Sequence, residues 1–233
     1  MTIFKKLFCF SVSLIFEASS LFSQGHSPHS ELLSQNEISD LLNDSVTKAF
    51  NLDIPVYRIY KYSDKSGNYF NILSELKGPY TIAKDTPNIR VVALNLQMSN
   101  GKITKTWNLE KEVLPDYIVG VQNISFLEDY IEFKDLDNDS IIEPIIVYNT
   151  LTELSLLIIY KNQIVSIEYQ FQGYDFETLR VDKSYYELPQ IVKSYVEGKL
   201  HSLEKSMNIA LPDKWQIKMK NHKTLIRASK NSR

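Results

Sequence analysis

Nine consecutive residues, Asp135-Leu136-Asp137-Asn138-Asp139-Ser140-Ile141-Ile142-Glu143, set carboxylates at positions one, three, five and nine of a short run. Carboxylate oxygens are hard ligands, and calcium gathers about six to eight such oxygens in a flexible geometry. Side chains at alternate positions of a tight loop can turn toward one centre. Asp135, Asp137, Asp139 and Glu143, with the backbone carbonyl of Ile141 at position seven, therefore form a candidate calcium set. β-like runs flank them, Phe126 to Phe133 before and Pro144 to Tyr148 after, so the acids fall in a loop between strands. An EF-hand requires glycine at position six and an acid at position twelve. Ser140 and Ile146 stand there, which excludes that motif. The competing reading is a solvated bend whose aspartates accept hydrogen bonds from nearby backbone amides. Carboxylates this close repel one another, however, and Lys134 is the one cation adjacent in sequence. A bound ion would fix the hairpin and leave few open positions for a catalytic water.

Other chemistry is thinly represented. No Gly-x-Ser-x-Gly elbow, glycine-rich phosphate loop or His-Glu-x-x-His zinc helix occurs. Cys9 is the single cysteine and lies in an N-terminal apolar run, so a chain processed beyond it has neither a thiol nucleophile nor a disulfide. Of the four histidines, His26 and His29 fall in a polar lead-in, His201 on an expected helix face and His222 in a basic stretch. A glycosidase needs only two carboxylates at the right separation. A secreted glycan-active hydrolase, or an inhibitor of a lytic enzyme, therefore stays open as the alternative to a non-catalytic protein.

The elements that must hold the acidic run are strands. The chain has 233 residues, 43% hydrophobic and 23% charged, which suits one soluble domain with a sizeable core. Fourteen Tyr and eleven Phe against seven Gly favour pleated, half-buried surfaces. Ile54–Tyr62, Tyr69–Leu76, Ile89–Met98, Lys102–Leu109, Phe126–Phe133, Ile145–Tyr148, Leu154–Tyr160 and Gln163–Phe171 read as strands. Asn100-Gly101 marks the tightest hairpin turn. Their alternation, with one wet face, predicts antiparallel β structure: a meander, sandwich or barrel-like assembly. Apolar residues at helical spacing over Gln35–Phe50, capped by Ser34 or Asn36, and over Glu187–Met207 add flanking helices at both ends, giving an α+β class overall.

Residues 1–24 read as a secretory signal: Lys5 and Lys6 precede the apolar run Leu7 to Phe16, and Ala18-Ser19-Ser20 offers a cleavage site. That run is about half the ~20 residues of a membrane-spanning helix, so no transmembrane span is expected after cleavage. The organisation that follows is a lead-in and helix over 25–53, a single β-rich domain with a C-terminal helix over 54–210, and a basic tail over 211–233. The net charge of −2 implies no nucleic-acid partner. Tyr57, Tyr60, Tyr62 and Tyr69 are candidates to stack on a glycan where exposed, although strand tyrosines more often pack across strands.

Several segments carry a family resemblance. Tyr57 to Tyr62 followed by Asp64-Lys65-Ser66-Gly67, then Asn71 to Glu75, and above all Asp135 to Pro144 with Val147-Tyr148, resemble small exported bacterial envelope proteins of the kind labelled surface polysaccharide biosynthesis proteins. The acidic run is also similar to the calcium loops set between strands in integrin-type and propeller repeats, with Ser140 where glycine is usual. More distantly it is similar to exported proteins with a lysozyme-inhibitor-like β fold. The resemblance implies a periplasmic or extracellular protein linked to capsule or lipopolysaccharide production, with a glycan or an envelope protein as partner and calcium as the ion. It implies no catalytic residue.

Overall fold

The computed structural model describes residues 28–79, 86–113, 123–171 and 177–228. Residues 1–24, which read as a secretory signal, and His26 lie outside the described residues. Two antiparallel sheets face each other, and helices cover both outer faces. The first sheet has five strands in sequence order: β1 (His29–Leu32), β2 (Val56–Asp64), β3 (Gly67–Lys77), β4 (Asn88–Ser99) and β5 (Lys102–Glu112). The β4–β5 turn is the expected Asn-Gly hairpin, with both Asn100 and Gly101 at positive φ. In the β2–β3 turn a side chain on Gly67 would meet the Gln97 amide nitrogen at 2.9 Å, and its φ of +147° also favours glycine.

The second sheet runs β12 (Leu225–Arg227), β11 (Thr178–Val181), β10 (Gln163–Gln170), β9 (Glu153–Tyr160), β8 (Glu143–Thr150) and β6 (Ile124–Phe126), with β7 (Glu132–Lys134) also on β8. Neither sheet closes into a barrel. Alternation assigns each strand's two faces. Ile59, Phe70, Ile72, Leu94 and Leu96 point outward to α1 (Gln35–Leu41) and to Leu42 and Phe50, which flank α2 (Asp44–Ala49). Leu73, Ala93 and Trp107 point inward, to meet Ile146, Tyr148, Leu157 and Ile159 of the second sheet. That sheet's outer residues, including Val147, Leu156 and Ile158, pack beneath α3 (Gln190–Ser206) and α4 (Trp215–Lys220).

The mainly antiparallel β architecture with flanking helices is as the sequence predicts. Four details differ, each for a physical reason. The N-terminal helix is split: Leu42 leaves helical geometry, and the Asn43 side chain accepts from Val46 N–H at 3.1 Å to start a second helix. Ser34 caps the first, in a reciprocal bond pair with Glu37. The Phe126–Phe133 run is broken by a 3-10 turn at Glu128–Tyr130. The polar lead-in carries His29 into β1, whose side chains are exposed and whose backbone pairs with β2. Finally, β3 and β8 have no wet face through most of their length, because helices cover one side and the opposing sheet the other.

The stretch beginning at Leu211 folds back instead of trailing. Trp215 and Met219, four apart on α4, enter the same core as α3, and β12 extends the sheet beyond β11. Lys214, Lys220 and Lys223 are exposed, and Lys218 is half-buried. Among the described residues no helix is long and apolar enough to cross a membrane.

Candidate metal centre

The acidic run forms the connection between β7 and β8, and its even positions fix it in place. Leu136 is buried in the core under α3, and Ile142 is buried between the sheets against Tyr62 and Tyr69. With those two side chains turned into the protein on either side, the acids at odd positions are left to face one another. Asn138 and Ser140 adopt left-handed backbone, with φ of 60° and 66°. The sharp turn is therefore made at position six although serine replaces glycine, at the strain cost a Cβ incurs there.

Asp135, Asp137 and Glu143 each bring a carboxylate oxygen within 4.8 Å of the others, so this group can hold a metal ion. Asp135 is oriented by two backbone donors, Asp139 N–H to Oδ1 at 3.0 Å and Ser140 N–H to Oδ2 at 2.9 Å. Glu143, the first residue of β8, accepts from Leu136 N–H at 2.8 Å. Tyr160 on β9 donates its hydroxyl to Asp137 Oδ2 at 3.0 Å. The other oxygen, Asp137 Oδ1, is buried with no partner among the described residues. Burial, then the neighbouring Asp137, Asp139 and Asp135, pushes the Glu143 carboxyl up to about 7. A carboxyl in that condition either keeps its proton or needs a cation beside it.

Two of the five sequence candidates are placed differently. Asp139 stands outside the three-carboxylate group, because its Oδ1 accepts from Ile141 N–H at 2.8 Å in an Asx-type turn. Ile141 gives its N–H to that bond, and no described donor reaches its carbonyl. Asp135 and Asp139 both accept from loop amides, as the bend reading expects, and Asp135 also converges with Asp137 and Glu143 in a group that could hold an ion.

Sequence reasoning missed what docks the loop onto the other sheet. The β2–β3 turn reaches across, with Asp64 Oδ2 accepting from Ile142 N–H at 3.0 Å and Lys65 N–H donating to the Ser140 carbonyl at 3.1 Å. The Lys65 ammonium also donates to the Asp139 carbonyl. Asp64 reads locally as a turn residue, and it does bond Ser66 N–H at 2.7 Å. Nothing in the sequence announces a partner 78 positions away. The tyrosines considered as glycan platforms are mostly occupied: Tyr62 and Tyr69 are buried and stack on each other at 4.8 Å, and Tyr60 lies against Phe133 at 5.0 Å.

Compared with known proteins, the chain matches no family model, no curated protein and no solved structure. The functional reading rests on this geometry and on the sequence.

Proposed function

We propose that the chain is an exported, non-catalytic envelope protein whose β sandwich is stiffened by one calcium ion, and that it assists assembly of surface polysaccharide. The observation that carries the metal part is the convergence of Asp135, Asp137 and Glu143 with Asp137 Oδ1 buried and unpartnered. A buried anionic oxygen without a donor is strongly unfavourable, and a divalent cation is the simplest group that would answer all three carboxylates together. Calcium is favoured over zinc because the set is all oxygen, without histidine or cysteine. The carbonyl of Ile141 and water would complete its shell. The ion's role is structural: the loop it would hold is the one clipped by Asp64 and Lys65 of the opposite sheet.

Export is supported by the positive and apolar N-terminal run, and the polysaccharide link by the resemblance of the Asp135–Pro144 and Asp64–Gly67 segments. Calorimetry with calcium should give a saturable heat at one site, absent after Asp135→Ala with Asp137→Ala. In the bacterium carrying the chain, deletion should lower surface polysaccharide, and the double variant should restore it less well than the unaltered chain. A flat calorimetric titration of folded protein removes the metal, and unchanged polysaccharide on deletion removes the assembly role.

A further inference from the structure

The segment that folds back over the second sheet is strongly basic. Residues 211–228 hold five cationic side chains, Lys214, Lys218, Lys220, Lys223 and Arg227, against one acid, Asp213. The whole chain has 26 basic and 28 acidic residues, so this stretch stands against an acidic remainder. It is also held in place. Trp215, Met219 and Ile226 enter the core, Lys218 Nζ donates to the Arg227 carbonyl at 3.1 Å, and the Tyr186 hydroxyl donates to the Lys223 carbonyl at 2.5 Å. No ion pair joins Lys214, Lys220, Lys223 or Arg227 to a described carboxylate. The charges are thus fixed in position and left unneutralised.

Helical spacing shows how α4 presents them. Trp215 and Met219 turn inward, and Lys214, Ile217 and Lys220, three apart on the opposite side, are exposed. Ile217 is 56% exposed, more than any other large apolar side chain among the described residues, and it stands between the two lysines. Lys214 is placed against its local preferences. Its φ of 57° is left-handed, which a Cβ disfavours, and it begins the helix without a side-chain cap. Its charge also sits where unpaired backbone N–H groups are already positive. Aspartate, asparagine or glycine would suit that position better, and no hydrogen bond or ion pair of the Lys214 side chain to a described residue offsets the cost. A residue that breaks local rules without compensation inside the fold points to a role outside it.

Cations around an exposed apolar side chain match a surface that is anionic at its boundary and apolar beneath, which is a bilayer with anionic headgroups. A soluble polyanion would engage the lysines and leave Ile217 in water. We propose that this face of α4, with the turn that follows it, docks on an anionic phospholipid membrane, with Lys214, Lys220 and Lys223 on the headgroups and Ile217 set into the acyl boundary. The acidic excess elsewhere in the chain is repelled by the same surface, so this segment leads the approach. The docking face shares no residue with the acidic loop and does not depend on an ion there. It would hold the β sandwich at a membrane surface without a spanning helix.

The test is sedimentation of full-length protein with vesicles of phosphatidylcholine alone or of equimolar phosphatidylcholine and phosphatidylglycerol, in a chelator so that calcium cannot bridge acids to lipid. All variants share one N terminus, so the apolar run at Leu7 to Phe16 contributes equally throughout. The expected result is tighter, salt-sensitive binding to the phosphatidylglycerol vesicles. Lys214→Gln with Lys220→Gln should weaken it ~30-fold, as two charges near an anionic surface require, and Ile217→Ser about tenfold, as a half-buried apolar side chain requires. Lys102→Gln with Lys105→Gln, exposed on β5 of the other sheet, should bind as the unaltered chain does. These residues are exposed, so melting temperatures should not fall. Equal binding to the two vesicles overturns the proposal, as does unchanged binding by the folded Lys214/Lys220 variant or an equal loss in the β5 variant. Unchanged binding by the Ile217→Ser variant, or tighter binding to soluble polygalacturonate than to vesicles, assigns the face to an acidic polymer and overturns the lipid. The comparison of the two vesicles with unaltered protein decides even if a variant fails to fold. Calcium heat without lipid binding sinks the docking face alone, and lipid binding without calcium heat sinks the metal alone.

Discussion

Exchanging Glu143 for glutamine isolates the group on which the loop's electrostatics turn. Glu143 is 2% exposed, and burial followed by repulsion from Asp137, Asp139 and Asp135 lifts its pKa from 4.5 to about 7. An acid whose folded pKa is raised holds its proton more tightly in the folded state than in the unfolded one. The stability it contributes is therefore fully present below ~4.5 and is lost as pH climbs from there to about 7. At ~1.4 kcal/mol per pH unit the loss amounts to about 3 kcal/mol in metal-free protein. For a chain of this size that is roughly 6–12 °C in Tm. Glutamine has the same shape and cannot ionise, so Glu143→Gln should flatten the slope. Calcium takes the proton's place, and adding it at about pH 8 should restore the wild-type Tm while leaving the variant unmoved. The assay is thermal denaturation followed by far-ultraviolet circular dichroism from about pH 5 to about pH 8, with and without calcium. Parallel curves for the two proteins without calcium, or no recovery of the wild-type Tm on adding calcium at about pH 8, would refute the reasoning.

Three further changes test the frame around the loop. Ser140→Gly should raise stability by about 0.5–1 kcal/mol in urea unfolding, because Ser140 holds a left-handed φ of 66°; a loss would show that the side chain matters more than the strain. Burial alone would raise the Glu132 carboxyl, but bonds from Lys134, Lys199 and Tyr195 outweigh it and hold it at about 2. That contribution is present above about 4.5 and lost as pH falls toward 2. Such a shift is worth about 3 kcal/mol before solvent screening of a partly exposed group, so Glu132→Gln should cost about 2 kcal/mol at neutral pH, and urea curves for the two proteins should converge in acid. Trp215→Ala should cost ~3–5 kcal/mol in the same assay, as expected for a buried aromatic; an effect within error would mean α4 is not part of the core.

The parts of the fold that are local were legible in the sequence. Asn100-Gly101 fixes a two-residue turn, and the register Ser99 to Lys102 follows from it. The apolar positions from Val192 to Leu203 recur at helical spacing and do form the buried stripe of α3. What depends on distant partners was not. Asn71 and Asn95 alternate with apolar neighbours and so look like the wet face of a strand, until a second sheet covers them. Trp215 and Met219 were hidden among lysines, since two buried residues in a six-residue helix are too few to show a period. In the acidic loop, types and spacing pointed to Asp135, Asp137, Asp139 and Glu143 with the Ile141 carbonyl, and three of those acids converge. The diversion of Asp139 to Ile141 N–H depends on backbone angles that residue types alone do not set.

The bond between Asp64 and the Ile142 amide spans 78 positions, and it joins the turn of one sheet to a loop of the other. Such a closure forms only once both halves exist, so it belongs to the late stages of assembly, after the slow search for long-range pairing. Interactions absent from the folding transition state show their effect on the way out: they slow escape from the native state and leave its formation rate little changed. Calcium in this loop would then act as a lock on a finished molecule, setting its lifetime once assembled far more than its speed of assembly.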